Sequence, residues 1–156
     1  MKIFKSSYFS CFLIFLISIN AQCKKELNKV PLNVTLYNKP LSVIQSNIQG
    51  NWKLQYIKGG FIANYIKYFQ DENILWQFPS GTRVLQNYNG NIYTDTTISW
   101  VRDLGVNTGR DSTFILKFYD KRGYPYNYVV DGIFNDSLVI HDNANDGQHY
   151  HFSKRN

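Results

Sequence analysis

From Trp52 to the end of the chain, apolar and polar residues alternate with a period of two in one short run after another, and this pattern narrows the possible folds more than any other feature. Trp52, Leu54 and Tyr56 are separated by Lys53 and Gln55, and Ile74, Trp76 and Phe78 by Leu75 and Gln77. Ile98 and Trp100 flank Ser99; Phe114, Leu116 and Phe118 share a face, as do Tyr126, Tyr128 and Val130, then Leu138 and Ile140, then Tyr150 and Phe152. Successive side chains of a strand point to opposite faces, so each run reads as a strand with one buried side. With "TRVLQNY" at 82–88 the count is about eight strands.

Turn signals separate the runs: "PSGT" (79–82), "NYNGN" (87–91), "DLGVNTGRD" (103–111), "DKRG" (120–123), "NDS" (135–137) and "DNANDGQ" (142–148). Glycine supplies positive φ in such turns, and Asn or Asp bonds its own backbone. Short connections favour antiparallel neighbours, so the expected fold is all-β, a small up-and-down barrel. The length of 156 residues suits one such domain. The segment "GGFIANYIKYFQDE" (59–72) is too long for a tight turn and is expected to cover one end as a short helix.

The first residues stand outside this pattern. "MKIFKSSYFSCFLIFLISINAQC" carries Lys2 and Lys5, then an apolar run from Tyr8 to Ile19 that is too short to span a membrane comfortably. Residues 1–22 are read as a signal peptide, which places the protein in the cell envelope or outside the cell. Cleavage after Ala21 would release a soluble chain. Alternatively, Cys23 becomes the first residue and is acylated, as in a bacterial lipoprotein, and contact with the membrane is then through that lipid anchor alone. Cys23 is the one cysteine outside the leader and has no disulfide partner there. Residues 23–39, polar and containing Pro31, read as a tether, and 40–156 as the barrel domain. Pro40 opens a short helix, with Leu41, Ile44 and Ile48 on one face.

Setting aside the two leader lysines lowers the net charge from +6 to +4, and the remaining positive residues form no basic stripe, which argues against nucleic acid as a partner. No glycine loop for phosphate and no nucleophile with its base is evident; Asp131 and Asp136 are read as ordinary carboxylates beside strand-end turns. The expectation is a non-enzyme without a cofactor.

Gly50-Asn51-Trp52 at the entrance to the first strand, the helical turn before it, the meander and a basic residue ending the last strand resemble the lipocalin and calycin pattern. More narrowly, "IQGNWKLQY" followed by "GG", and the ending "DGQHYHFSKR", are similar to lipocalin-like proteins exported by some bacteria, over residues 40–156. The resemblance implies that Gly50 and Trp52 close one end of the barrel, with Arg155, or Lys154 in its place, lying as a cation over the indole. It also implies a small hydrophobic ligand carried inside, for which Tyr56, Trp76, Trp100 and Tyr128 are the candidate contacts.

The inward face inferred from the alternation carries Trp52, Tyr56, Trp76, Phe78, Trp100, Phe114, Phe118, Tyr126, Tyr128, Tyr150 and Phe152. These rings either line a pocket or fill the interior. In the second case the protein acts through its loops, 59–70 and 104–110, as an interaction or inhibitor module. One further constellation stands in the last hairpin. A register pairing Ile140 with Tyr150 and Leu138 with Phe152 puts His141 opposite His149, with His151 on the same face. Three imidazoles so placed could meet one divalent metal, but the same register turns them away from the core, so they are expected to be surface residues, and Asp142 and Asp146 to be turn formers.

Overall fold

The computed structural model describes residues 30–62, 64–106 and 111–155, so the expected signal peptide, Cys23 and the start of the expected tether lie outside the described residues. Two of the turns take the tightest form a hairpin allows. Asn89 and Gly90 (φ 49° and 89°) connect Tyr88 to its partner Asn91, and Asn135 and Asp136 (φ 51° and 59°) connect Phe134 to Ser137. Two residues with positive φ match the right-handed twist of the flanking strands and fix their register.

The elements are β1 (Val34–Thr35), α1 (Leu41–Ile48), β2 (Gly50–Gly59), β3 (Ile66–Tyr68), β4 (Ile74–Ser80), β5 (Arg83–Tyr88), β6 (Asn91–Thr97), β7 (Ser99–Leu104), β8 (Ser112–Tyr119), β9 (Pro125–Phe134), β10 (Ser137–Asp142) and β11 (Gln148–Arg155). Nine of the strands form one antiparallel path in the order β6-β5-β4-β2-β11-β10-β9-β8-β7, with β1 added on β9 and β3 on β2. The sheet curls into a half-barrel, with the first and last long strands paired along their length. Its two outer members, β6 and β7, are separated only by Ile98, a buried residue whose N–H donates to Thr82 O at 2.8 Å. They are two halves of one bent strand, one half bonded to β5 and the other to β8. Counting that strand once gives the eight expected; as separate ladders there are nine.

Three local expectations are corrected. β6 has no apolar alternation, because "NIYTDTT" buries only Thr94, and the sequence pattern passes over it. The segment after β2 contains the short strand β3 instead of a helix, with Tyr56 opposite Tyr68. Residues 34–36 of the tether belong to the fold: β1 pairs with β9, and Leu36 is fully buried.

α1 starts after Pro40, whose ring presets φ for a helix entrance, and buries Ile44 and Ile48. The Trp52 indole N–H donates to Ile48 O at 2.7 Å, and Trp52 is 1% exposed, so the indole joins the helix to the closed end of the half-barrel. Lys154, directly opposite Trp52 on β11, places its Nζ 5.5 Å from the ring centroid. The cation is thus Lys154 and not Arg155, which sits one position further along, opposite Asn51, and is exposed. Contacts of this kind contribute roughly 0.5–2 kcal/mol.

Gly81, in the β4–β5 turn, lies under α1. Its carbonyl accepts from Gln45 Nε2 at 3.2 Å and from Trp100 Nε1 at 2.7 Å, and a Cβ there would fall 2.4 Å from Gln45 Cβ. Gln45 Cβ belongs to the helix framework and cannot swing aside. Gly81→Ala is therefore expected to lower unfolding stability by about 1–3 kcal/mol, the usual cost of overpacking, as read from the urea midpoint. An unchanged midpoint would contradict the close seating of α1.

Candidate functional site

Ten of the eleven aromatic residues expected to face inward belong to the core or pack against it. Trp76 is the hub of the cluster. Its indole lies 5.2 Å from the Phe152 ring, 5.3 Å from Tyr128 and 6.2 Å from both Phe118 and Tyr150. The exception is Tyr56. Between β2 and β11 the register shifts, Leu54 facing Phe152 and Tyr56 facing His151, so Gln55 is an extra residue on β2. This bulge reverses the alternation: Ile57 packs toward the core, whereas the Tyr56 ring stacks on His151 at 4.3 Å.

Away from the α1 end, the rings do not fill the curl. A cavity of about 550 Å³ is lined by Ile74, Trp76, Gln86, Tyr126, Tyr128 and Tyr150 in its depth, with Tyr88, Ile92 and Tyr93 at its exposed rim. Of the four candidate contacts, Trp76 and Tyr128 line it. Tyr56 is on the outer face, and Trp100 packs beside the core with its N–H on Gly81 at the α1 end.

The floor of the cavity carries a polar chain. The Tyr150 hydroxyl donates to Asp142 Oδ2 at 3.2 Å, and the Tyr128 ring stands edge-on to that of Tyr150 with centroids 5.5 Å apart. Burial and the neighbouring Asp142 carboxylate push both tyrosines above the ordinary phenol value, so both stay protonated. Burial also raises Asp142, against the opposing bonds from the Gln148 N–H and Tyr150. Sequence reading assigned Asp142 to a turn; its position opposite Tyr128 is what brings it under the cavity.

One wall of the cavity is the free edge of β6, which the β8–β9 loop reaches through side chains. Tyr93 donates to Asp120 Oδ2 at 3.1 Å, the Arg122 guanidinium bonds Tyr93 Oη, and Lys121 Nζ donates to Ile92 O at 2.9 Å. Burial works against the Asp120 carboxylate, but the N–H groups of Tyr124 and Arg122 outweigh it and hold the acid below its ordinary value. The guanidinium also lies over Tyr124, 4.9 Å from its centroid.

The last hairpin has the register expected of it, with Ile140 opposite Tyr150 and His141 opposite His149. The histidines do lie on the face away from the aromatic core, yet His141 is buried, 2% exposed, against the surface position expected. Asp131, read from sequence as a turn carboxylate, stands within β9 at a register shift: Val139 faces Gly132 and Ile140 faces Val130, leaving Asp131 as the extra residue. Its carboxylate reaches His141 Nδ1 at 2.8 Å and His149 Nδ1 at 3.5 Å. His151 is turned instead to Tyr56.

Burial lowers the pKa of His149, and lowers that of His151 to about 4. A neutral imidazole in the folded state means that the unfolded chain takes up the proton first as pH falls. Stability is thus lost from about pH 6.5 down to about pH 4. Asp142, with its raised value, works in the opposite sense as its carboxyl protonates. His151→Phe keeps a ring over Tyr56 but does not titrate. We expect it to flatten the fall in urea midpoint between pH 7 and pH 4.5; an unchanged slope would mean that His151 is freely protonated in the folded protein.

Comparisons with protein-family models, with curated proteins and with solved structures find no match to the chain.

Proposed function

We propose that this chain is a lipocalin-like protein of the cell envelope that binds a small, mostly apolar molecule in the cavity between β4–β6 and β9–β11. The observation that carries this reading is the cavity itself. Its volume of about 550 Å³ falls within the roughly 300–1,000 Å³ typical of small-molecule sites, which are mainly apolar with a few placed polar groups. Trp76, Tyr126 and Tyr128 offer ring faces to a flat or branched hydrocarbon body, while the Gln86 amide and the Tyr128 and Tyr150 hydroxyls offer hydrogen bonds to one polar end. The role proposed is carriage or sequestration, without a catalytic step. Export through the leader, with or without acylation of Cys23, would bring the protein to the compartment where such molecules cross between membranes.

The test is a titration with 8-anilinonaphthalene-1-sulfonate, a fluorescent probe with an apolar ring body and one anionic end, followed by tryptophan quenching and probe emission. The expected result is saturable binding of one probe per chain, weakened at least about tenfold by Ile92→Asp. That variant sets a charge at an exposed rim position (49% exposed) and should not alter the fold. Absence of saturable binding, or equal binding by Ile92→Asp, would overturn the reading.

A second reading is favoured by a separate observation. The β2–β3 connection exposes Phe61 (92%) and Ile62 (64%), and β3 exposes Ile66 and Tyr68. An apolar strip of this kind is a usual mark of a protein-docking surface. Of the other proposed docking loop, Leu104 and Val106 are exposed, and residues 107–110 lie outside the described residues.

A further inference from the structure

We propose that Asp131, His141 and His149 form a binding site for one divalent transition metal ion of the zinc class, on the face of the sheet opposite the aromatic cavity. The three residues offer ligand atoms that all lie within 4.8 Å of one another, a grouping found nowhere else among the described residues. In a tetrahedral zinc site with arms of about 2.0–2.1 Å, neighbouring ligand atoms stand about 3.3 Å apart. One carboxylate oxygen of Asp131 lies 2.8 Å from His141 Nδ1 and the other 3.5 Å from His149 Nδ1, so the carboxylate already stands at about coordination spacing from both imidazoles.

The backbone presents the three residues without freedom to drift apart. His141 and His149 are directly opposed on β10 and β11, and the Asp131 bulge turns a carboxylate toward both of them. The carbonyl of Asp131 is held in turn by the N–H groups of Leu36 and Tyr37, at 2.8 and 3.2 Å, so the arm before α1 buttresses the bulge. Sites built on strands with a supported backbone hold their geometry better than sites on loops.

The donor set suits a divalent transition ion, Zn²⁺ among them. Two imidazoles and one carboxylate suit Zn²⁺, and three protein ligands leave a fourth position for water. The solvent side is open through His149, whose side chain is 35% exposed, so an ion has a path in. Lys58, opposite His149 on β2, is the neighbouring charge that opposes a cation.

The probe is Zn²⁺ alone, followed by calorimetry against the purified chain, with Co²⁺ as a second probe whose visible absorption reports coordination number. One ion per chain is expected. His149→Ala and Asp131→Asn each remove one ligand at a partly exposed position and should weaken binding at least about tenfold, the lower bound for losing even an outer-sphere partner. His151→Phe should leave the affinity unchanged, and Lys58→Gln should tighten it, so the proposal does not depend solely on variants that lose function. Lack of saturable Zn²⁺ binding would overturn the proposal, as would affinity that falls with His151→Phe but survives Asp131→Asn, which would mark loose capture by surface imidazoles.

Discussion

The pairing of β2 with β11 is the constraint on which the other features rest. It joins the first long strand to the last, so that a meander becomes a curl with an inside. The same ladder sets Lys154 opposite Trp52 at one end and His149 opposite Lys58 at the other, and its single bulge decides which side of the sheet Tyr56 faces. Long-range pairing of this kind is slow to form, because chain ends distant in sequence must meet before any contact is made. Short turns with positive φ, which settle each local hairpin by itself, reduce what remains to be decided in that final step.

The interior is divided by the same economy of aromatic residues. At the α1 end, Trp52, Phe78 and Phe152 are fully buried against Ile44, Ile48 and Leu138, a well-packed plug. At the opposite end, tyrosines replace phenylalanines, and their hydroxyls need partners that a purely apolar filling would deny them. Tyr150 finds Asp142. A core that must satisfy these groups cannot collapse as tightly, which is a physical reason for a cavity to occur at that end.

Much of the fold was legible because period two is strict along a strand: the all-β class, the inward rings and the register of the last hairpin all follow from it, while the helix after Pro40 follows from the three-to-four spacing of Leu41, Ile44 and Ile48. Legibility failed where the period breaks. The Gln55 bulge sends Tyr56 outward, and the Asp131 bulge places a carboxylate beside two histidines; neither leaves a mark in composition. β6 went unread because a threonine-rich edge strand has little apolar alternation to display. Asp142 was read as a turn residue, since its partnership with Tyr150 exists only once β10 and β11 are paired.

The bend at Ile98 has a mechanical meaning for the whole shell. Elsewhere around the curl, moving two neighbouring strands apart would break a ladder of backbone bonds. Between β6 and the β8–β9 loop there is a seam fastened by Tyr93, Asp120, Lys121 and Arg122 alone, with covalent continuity preserved on one side through Ile98. A few side-chain bonds hold less firmly than a ladder of backbone bonds acting together. The shell is therefore weakest along that one line beside the cavity, where side-chain bonds and no backbone ladder join the neighbouring elements.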